Sequence, residues 1–178
     1  MSPEYLLDLF RYEALVVIIT AALPIVELRG AIPVAINLFG LPWHYAFLMA
    51  IVGNLLPVPF ILLFLNALTR VMNRIDILKR SLDWLFAYTK RRSKIIRKYE
   101  RIGLALFVAI PLPVTGAWTG SLAAVLLGLS FKHAFLSILI GVVIAGVLVT
   151  CLSLLGWMGA LIAGVVLVPL AIFSLWRA

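Results

Sequence analysis

The fold is decided by ten residues, Pro24-Ile25-Val26-Glu27-Leu28-Arg29-Gly30-Ala31-Ile32-Pro33, which interrupt an apolar run over residues 15–39. They place two opposite charges and a glycine between two prolines, and the prolines forbid one continuous helix. A charge near the centre of a bilayer costs on the order of 3 kcal/mol even on the lenient insertion scale. We therefore expect Glu27 and Arg29 to face protein or a water-filled cavity, and they are the first candidate functional residues.

The composition of the chain indicates whether it folds in water or in a membrane. Hydrophobic residues make up 65% of the 178 residues, and the mean hydropathy is +1.18. Four long stretches, residues 15–39, 43–68, 102–128 and 131–176, lack the polar face that a helix of a soluble protein needs. The sequence therefore predicts an all-α polytopic membrane protein that forms a single membrane domain over residues 1–178.

Positive charge is concentrated in one segment. Eleven of the fifteen Lys and Arg residues lie between Arg70 and Arg101, where only three acids oppose them. A basic segment beside membrane spans stays on the cytoplasmic side, whereas the acidic start of the chain suits the outside. We predict a basic cytoplasmic linker over residues 67–101 that contains an amphipathic helix and attracts anionic lipid of the inner leaflet. Because a membrane surface already accounts for the charge, we expect no nucleic-acid partner.

An internal repeat emerges when the sequence is shifted against itself by 88 residues. Residues 40–47 then align with residues 128–135 with four identities, and Gly53 falls on Gly141. Upstream, the same shift aligns residues 23–30 with residues 111–118, and both segments lie in apolar runs that prolines interrupt. The sequence therefore predicts two copies of one structural unit.

Both predicted copies, residues 14–66 and 102–154, begin with an apolar run that prolines break. The pieces on either side of each break are about ten residues long. As helices they reach about 15 Å, half of the hydrocarbon core. Non-helical backbone at membrane depth is tolerated where it is buried in protein or lines a cavity. We therefore predict a re-entrant helical hairpin at the start of each copy, followed by a transmembrane helix, Trp43 to Leu65 and Phe131 to Leu154.

A hairpin followed by one span crosses the membrane once, so the two copies have opposite orientations if the linker stays on one side. The repeat is then inverted, and an extra C-terminal transmembrane helix, residues 157–176, returns the chain to the cytoplasmic side. This topology predicts a multi-pass protein of the cell (plasma) membrane with its N-terminus outside. Many secondary transporters are inverted repeats whose broken helices meet at the bilayer midplane and bind substrate there.

A family resemblance rests on two segments, Pro24-x-x-Glu27-Leu28-Arg29-Gly30-x-Ile32-Pro33 and Phe107-Val108-Ala109-Ile110-Pro111-Leu112-Pro113-x-Thr115-Gly116-Ala117-Trp118-Thr119-Gly120. They resemble the two signature segments of the putative small multidrug export protein family, which is distantly similar to the DedA superfamily. The resemblance implies two facing re-entrant loops and, for DedA relatives, proton-linked transport and translocation of polyprenyl phosphate or other lipids. Unlike DedA proper, this chain has no extra acidic residue in the second loop and a single Arg in the first.

The first loop contributes the charged candidates. Glu27 is the only acid between Glu13 and Asp76, which makes it the one intramembrane candidate for proton coupling. Arg29 is the candidate for binding an anionic head group, since a guanidinium binds phosphate bidentately. The alternative is a structural ion pair between the two residues. Their spacing does not decide, because the backbone between two prolines need not be helical.

The second loop offers neutral donors for the same anion. Thr115, Trp118 and Thr119, with backbone N–H groups near Gly116, are predicted to bind substrate at the start of a half-helix whose dipole favours an anion. The alternative is close packing, since Gly116 and Gly120 form a GxxxG pattern that lets helices approach. The residues expected to shape the two loops are Pro24, Gly30, Pro33, Pro111, Pro113 and Gly120.

Few other polar residues interrupt the apolar runs. Asn54, with Pro57 and Pro59, is expected to lie at a kink of the first full span and to hydrogen-bond across helices; the alternative is a role for Asn54 in the transport pathway. His44 and His133 lie at predicted span starts with no second ligand at helical spacing, so we predict no metal ion and no cofactor.

These observations favour a transporter over an enzyme, because the clustered nucleophiles of a lipid-phosphate hydrolase are absent. The leading hypothesis is a proton-linked translocase of an anionic lipid such as polyprenyl phosphate, with its site between the two loops. Arg29 would repel a cationic substrate, which favours the anionic one. The alternatives are a proton-coupled small-molecule or multidrug exporter and a non-transporting membrane assembly factor. The sequence leaves formation of a homodimer open.

Overall fold

The computed structural model describes residues 3–72, 94–112, 115–156 and 158–159. Every regular element in these ranges is helical, which confirms the predicted all-α class. In chain order the helices are α1 (Pro3–Ala22), α2 (Glu27–Pro33), α3 (Trp43–Leu55), α4 (Pro57–Met72), α5 (Lys94–Ala109), α6 (Ala117–Leu126) and α7 (Phe131–Leu154), and a π-helical turn, Val34–Leu38, extends α2.

Within the described ranges, two helical segments are long and apolar enough to cross a membrane, Trp43–Leu65 and Phe131–Leu154. The first comprises α3 and the start of α4, which are separated by one turn residue, Leu56. Pro57 begins α4, the position in a helix where a missing N–H costs least. Both segments have the bounds that the sequence predicts, because each apolar run follows a glycine turn. They support the prediction of a membrane protein.

A glycine in the left-handed region ends the short helix before each span. Gly40 has φ 66° and Gly128 has φ 67°, conformations that residues with a side chain rarely adopt. The next amide then turns back onto the helix. The Leu41 N–H donates to the Ala35 carbonyl six residues earlier, at 2.9 Å, and the Leu129 N–H donates to the Ala124 carbonyl five residues earlier, at 3.0 Å. The shift of 88 residues therefore superimposes the two glycines and the two N–H donors, whereas the acceptors differ by one residue because the first turn ends a π-helical segment.

The two halves of the chain, which comprise α1–α4 and α5–α7, also pack alike. Helix α1 lies against α2 and α3, and helix α5 lies against α6 and α7. Gly53 of α3 approaches α1 so closely that a Cβ would fall on the Ile18 carbonyl, and Gly141 of α7 stands in the same relation to the Ala105 carbonyl of α5. Glycine permits this close approach of helix backbones in both halves.

The halves meet where α4 packs against α6 and along one face of α7. The buried residues of this face are mostly small and recur at helical spacing, among them Ala134, Ser137, Gly141 and Ala145. Through this face α7 packs against α2, α3 and α5. Large apolar residues on other sides of α7, including Leu136, Ile140 and Ile144, are exposed. Such a division is expected of a membrane helix that packs on one side and faces lipid on the other.

Three of the residues predicted to shape the loops lie inside helices instead. Gly30 and Pro33 belong to α2, and Gly120 belongs to α6, where it packs on Val108. Pro33 is accommodated because the helix widens directly after it into the π turn. The first break is therefore shorter than predicted and covers residues 23–26, with Pro24 inside it.

Other predicted features fall partly outside the described residues. Of the basic linker, α4 extends to Met72 and α5 begins at Lys94. Residues 73–93, Pro113 and all but residues 158–159 of the predicted final span lie outside the described ranges. The amphipathic linker helix and the final span stay predictions.

Candidate functional site

Glu27 is the first residue of α2 and lies directly after the first break. Its backbone has φ 50°, a left-handed conformation that costs a residue with a side chain on the order of 1 kcal/mol. The residue is buried, with 5% of its surface exposed. The break thus turns a carboxylate into the protein interior, and the surrounding groups must hold it there.

Three residues surround the Glu27 carboxylate. Nη2 of Arg29 lies 3.4 Å from Oε2. The backbone N–H of Trp118, in the first turn of α6, donates to Oε1 at 3.5 Å. Gly116 leaves space for the carboxylate, because a Cβ at that position would fall on it. The carboxylate therefore lies between a guanidinium of its own helix and the N-terminus of a helix from the other half.

Trp118 also contacts the end of α1. Its indole Nε1–H donates to the carbonyl of Ala22, the last residue of α1, at 3.1 Å. Helix ends leave N–H and C=O groups without intrahelical partners. We call the two contacts, Trp118 N–H to Glu27 and Trp118 Nε1–H to Ala22, the reciprocal cap. Through the reciprocal cap, each half provides a hydrogen-bond partner for a backbone group at a helix end of the other half. The two breaks are therefore in contact.

Two of the predicted substrate-binding residues bond to the backbone of their own loop. The Thr115 hydroxyl donates to the Ile110 carbonyl at 2.7 Å. The Thr119 hydroxyl accepts the Gly116 N–H at 3.0 Å. In this conformation both threonines hold the shape of the second break, and their contact with a substrate stays a prediction.

A narrow crevice runs beside the ion pair. It is lined by Glu27, Arg29, Asn54 and Gly116, together with apolar residues of α5 and α7, and it has no room for a water-sized sphere. Of the predicted substrate-binding residues, Arg29 and Gly116 line this crevice.

Asn54 is the polar residue of the crevice that sequence reasoning did not assign to the site. It is 1% exposed, and its Oδ1 has no hydrogen-bond partner, so the predicted bond across helices is wrong for this oxygen. A buried acceptor left unpaired costs about 1–3 kcal/mol. Its position within an apolar span, three residues before a proline, was the available signal.

The groups that face the crevice determine its chemistry. They are a carboxylate, a guanidinium, an amide oxygen and the start of a helix. In the part of the chain that the structure describes, no three His, Cys, Asp or Glu residues are placed to hold a metal ion. This set of groups can hold an anion or exchange a proton.

The fold and the site define the class of protein, a helical membrane protein whose halves meet at a buried carboxylate paired with a partly buried guanidinium. The profile of the family described as "Putative small multi-drug export protein" matches residues 27–148, more than half of the chain. The chain belongs to this family, as its resemblance predicts. The family description is that of a membrane exporter and not of an enzyme class. A search of curated proteins and a search of solved structures gave no match.

Proposed function

We propose that this protein is an integral membrane transporter that moves an anionic amphiphile, such as a polyprenyl phosphate, across the membrane in a cycle linked to protonation of Glu27. One observation carries the proposal. The Glu27 carboxylate lies between the Arg29 guanidinium and the Trp118 N–H at the start of α6. A guanidinium and a helix N-terminus are the two kinds of donor that bind phosphate head groups. The groups that bind the Glu27 carboxylate in this structure could also bind the phosphate head group of a substrate.

Arg29 favours an anion over a cation. It lines the crevice beside the start of α6, whose dipole adds partial positive charge. A lipophilic cation brought to this place would meet like charge where little water screens it. The tail of an amphiphile would stay in hydrocarbon, along the apolar exposed sides of the long helices.

The proposed path depends on the similarity of the two halves. We infer that α1–α2 and α5–α6 are re-entrant hairpins of an inverted repeat. The matching turns at Gly40 and Gly128 and the matching close approaches at Gly53 and Gly141 support this inference. In an inverted repeat the two breaks meet near the bilayer midplane, and alternating access opens the site to each side in turn.

We further propose that the protein resides in the plasma membrane with its N-terminus outside. The basic linker would then lie on anionic lipid of the inner leaflet. The concentration of Lys and Arg between Arg70 and Arg101 supports this orientation.

Transport into liposomes tests the proposed function. Farnesyl phosphate serves as the probe, and an external phosphatase reports which leaflet holds it. We expect the wild type to move the probe at a rate that depends on pH, Arg29→Gln to lose this movement, and Glu27→Gln to lose the pH dependence. Lys132→Gln, which removes an exposed charge outside the crevice, is the matched control. No movement by the wild type at any pH would contradict the proposal.

Export of lipophilic cations is the second candidate, favoured by the family description and by the carboxylate of Glu27. The same liposomes distinguish it when tetraphenylphosphonium replaces the lipid probe. If Arg29→Gln improves movement of the cation and leaves the phosphate lipid unaffected, the cation exporter replaces the anionic one.

Cysteine labelling tests the inverted repeat. In a Cys151→Ser background, single cysteines replace Phe39 and Ser130, which lie beside the turns before the two spans. We expect a membrane-impermeant maleimide to label Phe39→Cys from outside and Ser130→Cys only from inside. Labelling of both positions from the same side would contradict the inversion.

A further inference from the structure

We propose that the Glu27 carboxylate and the transported anion compete for one site, and that Asn54 accepts a hydrogen bond from Glu27 once protonation has released it. The inference rests on the proposed function and deepens it, because it names the contacts that link the proton to the anion. Glu27 is then a competitor of the substrate, and Asn54 is a positioning residue for the protonated side chain.

The first observation is that the start of α6 is already occupied. This helix has 10 residues, and the Trp118 N–H of its first turn donates to Glu27 Oε1 at 3.5 Å. The Arg29 contact to Oε2 is of similar length, 3.4 Å. Hydrogen bonds this long hold mainly through the charge of the carboxylate. Both contacts therefore weaken together when the carboxylate becomes neutral.

The second observation is the unpaired oxygen of Asn54. Asn54 lines the same crevice as Glu27, only 1% of its surface is exposed, and its Oδ1 has no hydrogen-bond partner. An ionised carboxylate only accepts hydrogen bonds, so it offers nothing to this oxygen, whereas a protonated carboxyl group donates one. Protonation thus removes the attraction of Glu27 to Arg29 and α6 and creates a partner for it at Asn54.

The third observation is the lack of space. The crevice has no room for a water-sized sphere, and a single Cβ at Gly116 would fall on the carboxylate. An anion can therefore reach the Trp118 N–H and Arg29 only after the carboxylate has moved. Occupation by Glu27 and occupation by substrate exclude each other.

No other described titratable side chain lines the crevice. Helix α2 packs against α1, α3 and α7, and α6 packs against α4, α5 and α7. Apart from Glu27 and Arg29, α2 and α6 contain no titratable residue. The titratable residues of the packed helices whose side chains the structure describes all lie away from the crevice: Arg11, Tyr12, Glu13, His44, Tyr45, Glu100, Arg101, Lys132, His133 and Cys151.

The direction of the coupling follows from the competition. Lowering the pH protonates Glu27, frees the two donors and tightens binding of the anion. By linkage, a bound anion favours the protonated form of Glu27 by the same factor. A proton and an anion are therefore taken up together and released together.

Binding measurements on the purified full-length chain in detergent test the inference without requiring transport. Inorganic sulfate is the first probe, because its charge is constant between neutral and mildly acidic pH. We expect wild-type binding of sulfate to tighten about tenfold over this interval. Glu27→Gln should bind sulfate at neutral pH as tightly as the wild type does in acid, with no pH dependence. Weaker binding by Glu27→Gln than by the wild type at every pH would overturn the competition.

Asn54→Leu tests the second contact. The change removes the acceptor with little change in side-chain volume and leaves no buried polar group unpaired, so the fold should be retained. We expect the gain in sulfate binding at acidic pH to fall several-fold, whereas an unchanged pH profile would overturn the role of Asn54. The controls are Glu13→Gln, an acid outside the crevice, and Asn37→Leu, an exposed amide in the π turn, and both should keep the wild-type profile.

Two further measurements use the wild type alone. Addition of sulfate in weak buffer near neutral pH should take up protons from solution, and release of protons would overturn the competition. Farnesyl phosphate should bind more tightly than inorganic phosphate if the site receives a lipid head group, and equally if it receives the free anion. A wild type that shows the sulfate pattern without moving farnesyl phosphate would retain the competition and change only the proposed substrate.

Discussion

The two breaks occupy equivalent places in the two halves, but they supply charge by different means. The first break, residues 23–26, leads directly to Glu27 and Arg29, whose charges are on side chains. The second lies between α5 and α6, its sequence contains no charged residue, and among its described residues the start of α6 faces the Glu27 carboxylate. The difference shows how two similar halves can contribute unequally to one site. One half provides charged side chains, and the other provides the partial positive charge of a helix N-terminus.

The largest effect is expected from removal of the cation of the first break. Arg29→Gln leaves the Glu27 carboxylate buried without its charged partner, and we expect a loss of about 3 kcal/mol in the free energy of unfolding. Thermal unfolding in detergent measures the loss, and Lys132→Gln is the exposed control. The double variant Glu27→Gln, Arg29→Gln should recover most of it. A double variant as unstable as the sum of the two single ones would show that the pair does not interact.

An intermediate effect is expected from a methyl group in the second break. Gly116→Ala places a Cβ on the Glu27 carboxylate, and overpacking of this kind should destabilise the fold by about 2 kcal/mol. Gly103→Ala is the matched control, because no atom lies within 4 Å of its Cβ position and alanine favours a helix. If Gly116→Ala is as stable as Gly103→Ala, the second break does not receive the carboxylate of the first.

The smallest effect is expected from the other contact of the reciprocal cap. Trp118→Phe removes the donor to the Ala22 carbonyl and keeps an aromatic ring, so a loss of about 1 kcal/mol is expected. Trp43→Phe, at a residue that is 53% exposed, should leave the unfolding temperature almost unchanged. If the two substitutions lower the unfolding temperature equally, the indole N–H of Trp118 does not stabilise the contact between the two breaks.

The elements that sequence predicts well are those set by local patterns. The spans Trp43–Leu65 and Phe131–Leu154 are continuous apolar runs that follow glycine turns, and their predicted bounds agree with the structure. The start of α6 at Ala117 is similarly local, because Gly116 and the Thr119 hydroxyl close its first turn. Pro33 was misjudged because a proline signals a break, whereas the π turn after it lets the helix continue.

The partners within the site are not local, and sequence alone did not find them. Glu27 and Trp118 are 91 residues apart, and no periodic pattern connects a carboxylate to a backbone N–H at that separation. The threonines of the second break illustrate the same limit. A hydroxyl near a helix start is an equally good donor to a ligand or to its own loop, and Thr115 bonds to the loop. For Asn54 the sequence left a pathway role as an alternative to a structural one, and it could not show that Asn54 lines the same crevice as Glu27.

The reciprocal cap has a consequence for the synthesis of the protein. Ala22 and Trp118 are 96 residues apart, and a ribosome adds about 5–20 residues per second, so about 5–20 s pass before the carbonyl can meet the indole. A polar group without a partner in hydrocarbon costs several kcal/mol. If α1–α2 and α5–α6 are the re-entrant hairpins that we propose, the first is expected to remain at a hydrated boundary of the insertion machinery until the second has been made. The two would then enter the bilayer together, as one folding event.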